Sequence, residues 1–267
     1  MKQSKLVIII PHFNNPKSLE ESIASINEKM KVDIIIVDDG SKIKPNEKQI
    51  KQNYKFGSVF FEYLENNRGI GDALNLGLEK ALNKNYKFIG RLDCGDLFIK
   101  NKCYKQIKYL EAYPDIKLLG TWAKVINKNK QLLYELKFPV HYHEICNKIY
   151  SSFVFLHPSV IFYSHIIKDI GYYPHKYRRA SQDYAFFFNI IKQFKAENYP
   201  EILIEYMDEP NSISTKKRRL QVLNRIRIII DNFYFGFYPI YGLIRNLLLL
   251  LVSRNITTAL KKVIYKR

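Results

Sequence analysis

Apolar positions in the first half of the chain alternate between two periods. Short runs rich in β-branched and aromatic residues, Leu6–Ile10, Asp33–Val37, Val59–Tyr63 and Tyr86–Leu92, read as buried strands. Between them, Leu19, Ile23 and Ile26 in Lys17–Glu28 recur at helical spacing. Ala73, Leu74, Gly77, Leu78 and Ala81 do the same in Ile70–Leu82. A helix or turn is expected around Pro45–Asn53, and a helix over Asn101–Glu111 that stops before Pro114. This alternation predicts an α/β fold: a Rossmann-like, mainly parallel sheet flanked by helices. Crossovers then carry the loop after each strand to one edge, where such sheets bind ligands.

The second half is less regular. Lys117–Ile126 and Gln131–Phe138 read as strands joined by a turn at Asn127–Lys130. A helix over His141–Ser151, a strand at Val160–Tyr163, a helix over Ser181–Phe194 and a strand at Ile202–Tyr206 follow. No repeat or low-complexity linker separates the halves, so residues 1–215 are expected to form one domain. Residues 216–267 read as an amphipathic helical tail.

Charge sharpens that division. The 267 residues carry a net charge of +18 and a sequence pI of about 9.6, which calls for an anionic partner. Of this charge, +11 lies beyond residue 210, where Asp231 is the one acid. Basic residues mixed with Ile226–Ile230, Phe233–Tyr241 and Leu247–Val252 suit an anionic membrane surface better than a nucleic acid. The competing reading is a helix pair packed on the core with a solvated basic face. A spanning helix needs about 20 apolar residues, and Arg225, Arg227, Asp231 and Arg245 interrupt this tail. The N-terminal apolar run ends at Pro11, too soon for a signal peptide. Three cysteines without paired spacing fit a reduced, cytoplasmic compartment.

Polar residues gather at the expected strand ends. They are Pro11-His12-Phe13-Asn14-Asn15, Asp38-Asp39-Gly40-Ser41, Asn67-Arg68-Gly69-Ile70-Gly71 and Asp93-Cys94-Gly95-Asp96. One such cluster is ordinary turn chemistry; four in succession are not. Asp93 and Asp96 could hold a divalent cation whose shell is completed by phosphate and water. A carboxylate at Asp38 or Asp39 could meet a base or a ribose, and the Arg68 region a phosphate. No dinucleotide or P-loop glycine motif is present.

Taken in order, Val7-Ile8-Ile9-Ile10-Pro11-His12-Phe13-Asn14, Ile35-Ile36-Val37-Asp38-Asp39-Gly40-Ser41, Asn67-Arg68-Gly69-Ile70 and Arg91-Leu92-Asp93-Cys94-Gly95-Asp96 resemble the family 2 glycosyltransferases. The likeness continues through Pro114-Asp115-Ile116, His157-Pro158-Ser159-Val160 and Gln182-Asp183-Tyr184. The resemblance implies a GT-A fold and an inverting transfer from a nucleotide sugar, usually UDP-linked. Pro11, Phe13 and Asn14 would line the nucleotide, Asp39 would contact the uracil, and Asp38 would support that loop or the ribose. Arg68 would lie near the base or diphosphate. Asp96 would bind Mn²⁺ or Mg²⁺, and Asp93 the ribose or the metal, with Gly95 where the family commonly has an acid. Asp183 would be the general base, and His157 and Gln182 possible contacts to acceptor or diphosphate. As a first-turn helix acid, Asp183 also has a plain structural explanation.

Bacterial relatives of this kind build capsule, lipooligosaccharide and exopolysaccharide. The implied partners are a lipid-linked saccharide acceptor and the cytoplasmic face of the inner membrane, with no nucleic acid. The competing functions are a nucleotidyltransferase, which releases pyrophosphate, and a non-catalytic nucleic-acid-binding protein, suggested by charge alone.

Overall fold

The computed structural model describes residues 4–177, 179–208 and 217–251. Strands β1 (Leu6–His12), β2 (Asp33–Asp39), β3 (Val59–Leu64) and β4 (Phe88–Arg91) alternate with helices α1 (Pro16–Ala24), α2 (Glu47–Asn53) and α3 (Ile70–Asn83). After them come β5 (Leu97–Phe98), α4 (Lys102–Ala112), β6 (Ile116–Ile126), β7 (Leu132–Leu136) and α5 (Tyr142–Lys148). The chain continues through β8 (Ile161–Tyr163), α6 (Ile167–Ile170), α7 (Gln182–Ile191) and β9 (Lys195–Met207). Two further helices, α8 (Arg218–Asp231) and α9 (Phe237–Leu251), complete the described chain.

The sheet has nine strands in the order β3-β2-β1-β4-β8-β6-β9-β5, with β7 paired to β6. Strands β3, β2, β1 and β4 are parallel, as the apolar runs predict. Strand β8 is antiparallel to both β4 and β6, so the sheet becomes mixed beyond β4. The strand order reverses between β1 and β4, which opens a crevice at their carboxyl ends.

Two elements differ from expectation for identifiable reasons. Helix α1 stops at Ala24, where the Ser25 hydroxyl bonds back to the Ser22 carbonyl. Glu28 is instead drawn to the start of α4, where its carboxylate accepts the Cys103 and Tyr104 N–H groups at 2.8 and 3.0 Å. Strand β9 begins at Lys195 because Lys195–Tyr199 pairs in parallel with β6. Pro200 cannot donate to a ladder, and the register shifts there, between Thr121 and Trp122 of β6. The proline had hidden the first half of this strand.

The expected boundary between residues 215 and 216 lies outside the described residues. Helix α8 packs on the rest of the fold: Asn224 donates to the Ala180 carbonyl at 2.8 Å and Ser181 to the Gln221 carbonyl at 3.1 Å. Helix α9 approaches so closely that a Cβ at Gly242 would lie 2.4 Å from the Tyr150 carbonyl oxygen.

A buried lock holds the ends of β1 and β2. His12 Nδ1 lies 2.7 Å from Asp38 Oδ2, and both side chains are sealed from solvent. The Asn15 N–H points at His12 Nε2 at 3.1 Å, so Nδ1 carries the proton that meets Asp38. Asp38 Oδ1 accepts from Lys44 at 2.7 Å and the Ser41 N–H at 2.9 Å. Burial pushes the Asp38 carboxyl up, but hydrogen bonds from Lys44, Ser41 and His12 outweigh it and hold it below its ordinary value.

Asp38→Ala leaves buried donors unpaired and is expected to cost about 3 kcal/mol in chemical denaturation. Because the native carboxyl lies below its unfolded value, its stabilisation is complete above about pH 4 and is lost as pH falls through the native value. The wild type should therefore lose more stability than Asp38→Ala on acidification below pH 4. Gly40 has φ 68°, and a Cβ there would lie 2.4 Å from the Asn66 carbonyl carbon. Gly40→Ala should therefore cost about 2 kcal/mol or more in the same measurement.

Candidate active site

The end of β1 is fixed by backbone bonding rather than by its apolar side chains. Asn14 donates its N–H to Ser41 Oγ at 2.8 Å, and its side-chain oxygen accepts the Lys42 and Ile43 N–H groups at 2.8 and 3.1 Å. Phe13, beside it, is 48% exposed at the rim of the crevice. Its ring is available for stacking.

Asp39 binds the loop before α3. Its two oxygens accept the Arg68 and Gly69 N–H groups, each at 2.8 Å. Burial raises the Asp39 carboxyl, these bonds lower it, and the charges of Asp72 and Asp38 add to the rise; the net direction is upward. The Arg68 guanidinium points away from Asp39 to Asp72 at 3.3 Å and stays largely exposed.

The loop after β4 carries the acids. Cys94 donates its thiol to the Pro11 carbonyl at 3.2 Å, tying the ends of β4 and β1. Burial pushes that thiol well up, so it is an inert structural group. Ser22 on α1 supports the same loop, accepting the Gly95 N–H at 2.9 Å. Gly95 has φ 102°, with Met207 Cβ 3.9 Å from where its own Cβ would stand. The backbone conformation, rather than a close neighbour, requires glycine there.

Asp93 is partly exposed, and its Oδ1 pairs with Nη2 of the fully buried Arg91. Asp96 is 3% exposed, and its Oδ1 accepts the Met207 N–H at 2.9 Å. Among the described residues no group of three His, Cys, Asp or Glu gathers to form a protein cage for a metal. Two carboxylates on one turn nevertheless fit a hard cation that takes its other oxygens from a diphosphate and water.

His157 and the start of α7 lie near the same loop, since the charge of Arg91 acts on His157 and that of Asp93 on Asp183. His157 Nε2 lies 2.8 Å from the Tyr173 hydroxyl, and its ring packs edge-on against Tyr173 and Phe187. Burial and the Arg91 charge push it well below its ordinary value, so it is neutral at pH 7. Gln182 is buried in the first turn of α7. Asp183 Oδ1 accepts the Tyr184 N–H at 2.8 Å. Burial raises the Asp183 carboxyl, the Tyr184 bond and the Arg225 charge oppose this, and the Asp93 charge reinforces it; the net direction is upward.

The ends of β1, β2 and β4 and the loop before α3 thus bring Pro11, Phe13, Asn14, Asp38, Asp39, Arg68, Asp93 and Asp96 to one sheet edge. Asp183 reaches that edge from α7, close enough for Asp93 to act on its charge. The sequence reading missed Lys44, Tyr173 and the roles of Arg91 and Arg225. Arg91 had a usable signal, a cation two residues before Asp93 in a strand. Arg225 had none, since 42 residues separate it from Asp183.

The model for glycosyl transferase family 2 matches residues 7–169. An uncharacterized glycosyltransferase of Methanocaldococcus jannaschii is 32% identical over 77% of this chain and 71% of its own length. A UDP-Gal:alpha-D-GlcNAc-diphosphoundecaprenol beta-1,3-galactosyltransferase of Escherichia coli is 24% identical over 95% of this chain and 92% of its own. Among solved structures, S. aureus TarS residues 1–349 in complex with UDP-GlcNAc superposes with TM-score 0.64 at 18% identity, over 85% of this chain and 66% of that one. A Pyrobaculum calidifontis mannosyltransferase in complex with GDP-Man and Mn²⁺ gives TM-score 0.64 at 12% identity, over 95% of this chain and 71% of that one. These structures share its GT-A fold. With the family model covering more than half of its length, the chain belongs to glycosyl transferase family 2.

Proposed function

We propose that this enzyme is an inverting glycosyltransferase that moves a sugar from a UDP-sugar to a hydroxyl of a lipid-linked saccharide. The observation that carries this reading is Asp183: a half-buried carboxylate in the first turn of α7, raised by desolvation and by the charge of Asp93. Its Oδ1 is held by the Tyr184 N–H, while its second oxygen forms no hydrogen bond among the described residues. That oxygen takes the proton of the acceptor hydroxyl as the hydroxyl oxygen bonds to the anomeric carbon. The bond from that carbon to the donor phosphate breaks, and UDP leaves on the opposite face with the electron pair.

Phe13, Asn14, Asp38 and Asp39 organise the nucleotide end of the crevice, with Pro11 and Arg68 beside them. Asp93 and Asp96 would hold a divalent cation, Mn²⁺ or Mg²⁺, whose chemistry is to neutralise charge on the departing diphosphate. Arg91 holds Asp93 in place for that task. A nucleotidyltransferase would release pyrophosphate, so free UDP in the products separates the two activities.

The acceptor reading is supported by the diphosphoundecaprenol named in the E. coli relative and by α9. Phe237, Ile240, Tyr241, Ile244, Leu247, Leu248 and Leu251 recur at helical spacing and are exposed, Phe237 by 72% and Leu251 by 84%. No described helix is long and apolar enough to cross a membrane. An exposed apolar stripe beside basic residues suits the interface of an anionic bilayer, here assigned to the cytoplasmic face of the inner membrane.

Asp183→Asn should lower sugar transfer about a thousandfold, read as released UDP, with UDP binding unchanged. Retained turnover would remove Asp183 as the base. With burial the first cause of its raised value, the acidic limb of wild-type kcat should lie above pH 4. The double variant Ile244→Ser, Leu248→Ser should leave transfer to a soluble acceptor intact and release the protein from anionic vesicles in a flotation assay. Unchanged flotation would count against α9 as the docking face.

A further inference from the structure

Two half-buried arginines lie near the start of α7: the charge of Arg225 acts on Asp183 and that of Arg245 on Tyr184. Arg225, on α8, stacks 3.9 Å from the Phe153 ring centre and 5.7 Å from that of Tyr184. Arg245 comes from α9, and its charge reaches both Tyr184 and Arg225. Arg225 Nε and Arg245 Nη1 are buried and make no hydrogen bond among the described residues. The acid of these helices, Asp231, is engaged by Lys176 at 2.9 Å and Tyr177 at 2.8 Å. Asp183 acts on Arg225 by its charge but forms no hydrogen bond or ion pair with it among the described residues.

Two like charges converging with unused donors repel each other, and burial makes that costly. An oxyanion with several acceptor oxygens removes both costs, and the planar forks of arginine suit phosphate. The surroundings narrow the source of that anion. Arg225 acts on Asp183, the base of the proposed reaction, and Arg245 on Tyr184 beside it, whereas the nucleotide end is built by β1, β2 and the loop before α3. They are carried by the same helix pair that exposes the apolar stripe. An anion joined to a hydrocarbon chain satisfies both features.

We propose that Arg225 and Arg245 form a binding site for the phosphate or diphosphate that joins the acceptor saccharide to its lipid. This rests on the lipid-linked acceptor reading above. The site draws the acceptor phosphate against α8 and α9 while the chain lies along the stripe. The first sugar is thereby held near Asp183.

The test is a titration of the full chain with farnesyl diphosphate, farnesol and inorganic pyrophosphate, with and without saturating UDP. The wild type should bind farnesyl diphosphate about tenfold or more tighter than either other probe, with UDP present. Arg245→Gln should weaken that binding about tenfold. Arg225→Lys, which keeps the charge and loses the fork, should weaken it less but in the same direction. Arg227→Gln, at an exposed position of α8, should leave it unchanged, and UDP affinity should be the same in all variants. Arg245→Lys guards against loss of fold in the glutamine variant.

Binding of farnesyl diphosphate that neither arginine affects overturns the proposal. Competition with UDP, or weaker UDP binding in the variants, overturns it by placing the arginines on the donor side. Pyrophosphate bound as tightly as farnesyl diphosphate also overturns it, in favour of a free-phosphate site. Failure of the wild type to bind UDP would defeat the donor reading alone, because the titration without UDP still reads the arginine site.

Discussion

Parallel pairing of β2, β1 and β4 is the constraint on which the rest of the molecule depends. Parallel strands must be joined by crossovers, so their carboxyl ends emerge together. That edge collects backbone groups no ladder satisfies, and short polar side chains answer them. Asn14 bonds the loop after β2, Asp39 holds the loop before α3, and the Cys94 thiol reaches back to Pro11. The buried His12–Asp38 contact at 2.7 Å closes this network at its base. Residues that look like a binding list in sequence are also what keeps the crevice open and rigid.

The acids of the crevice differ in environment, and burial and hydrogen bonding move their carboxyls in different directions. Asp38 is buried but surrounded by donors, so it stays ionised and structural. Asp93 is partly exposed and paired to Arg91. Asp183 is half-buried with fewer donors, and its carboxyl is raised. Carboxylates pushed in opposite directions by burial and hydrogen bonding are the usual physical basis for separating a support from a base.

The C-terminal helices join two features that composition alone had kept apart. Their positive charge and apolar content suggest either a device for attachment or a helix pair packed on the core. In the fold, α8 bonds to Ala180 and Ser181, next to Asp183, while α9 closes on Tyr150 with its apolar stripe outward. The exposed apolar stripe and the hydrogen bonds to Ala180 and Ser181 belong to one helix pair.

The parallel half of the sheet was legible because a strand buried on both faces must be apolar throughout, and runs such as Val7–Ile10 and Ile34–Val37 have few other uses. The clusters at the strand ends were legible as well, since each is contiguous and their order resembles one family. Strand β9 was half hidden because Pro200 breaks the local pattern while pairing with β6 continues around it. The recruitment of Glu28 as a cap for α4 and the meeting of Arg225 with Asp183 left no local trace. By itself, the sequence determined which segments must be buried and which residues lie at their ends, because periodicity and burial are local properties. Only the tertiary structure decided which charges face one another, because electrostatic partners are chosen by distance in space, and chain separation carries no record of it.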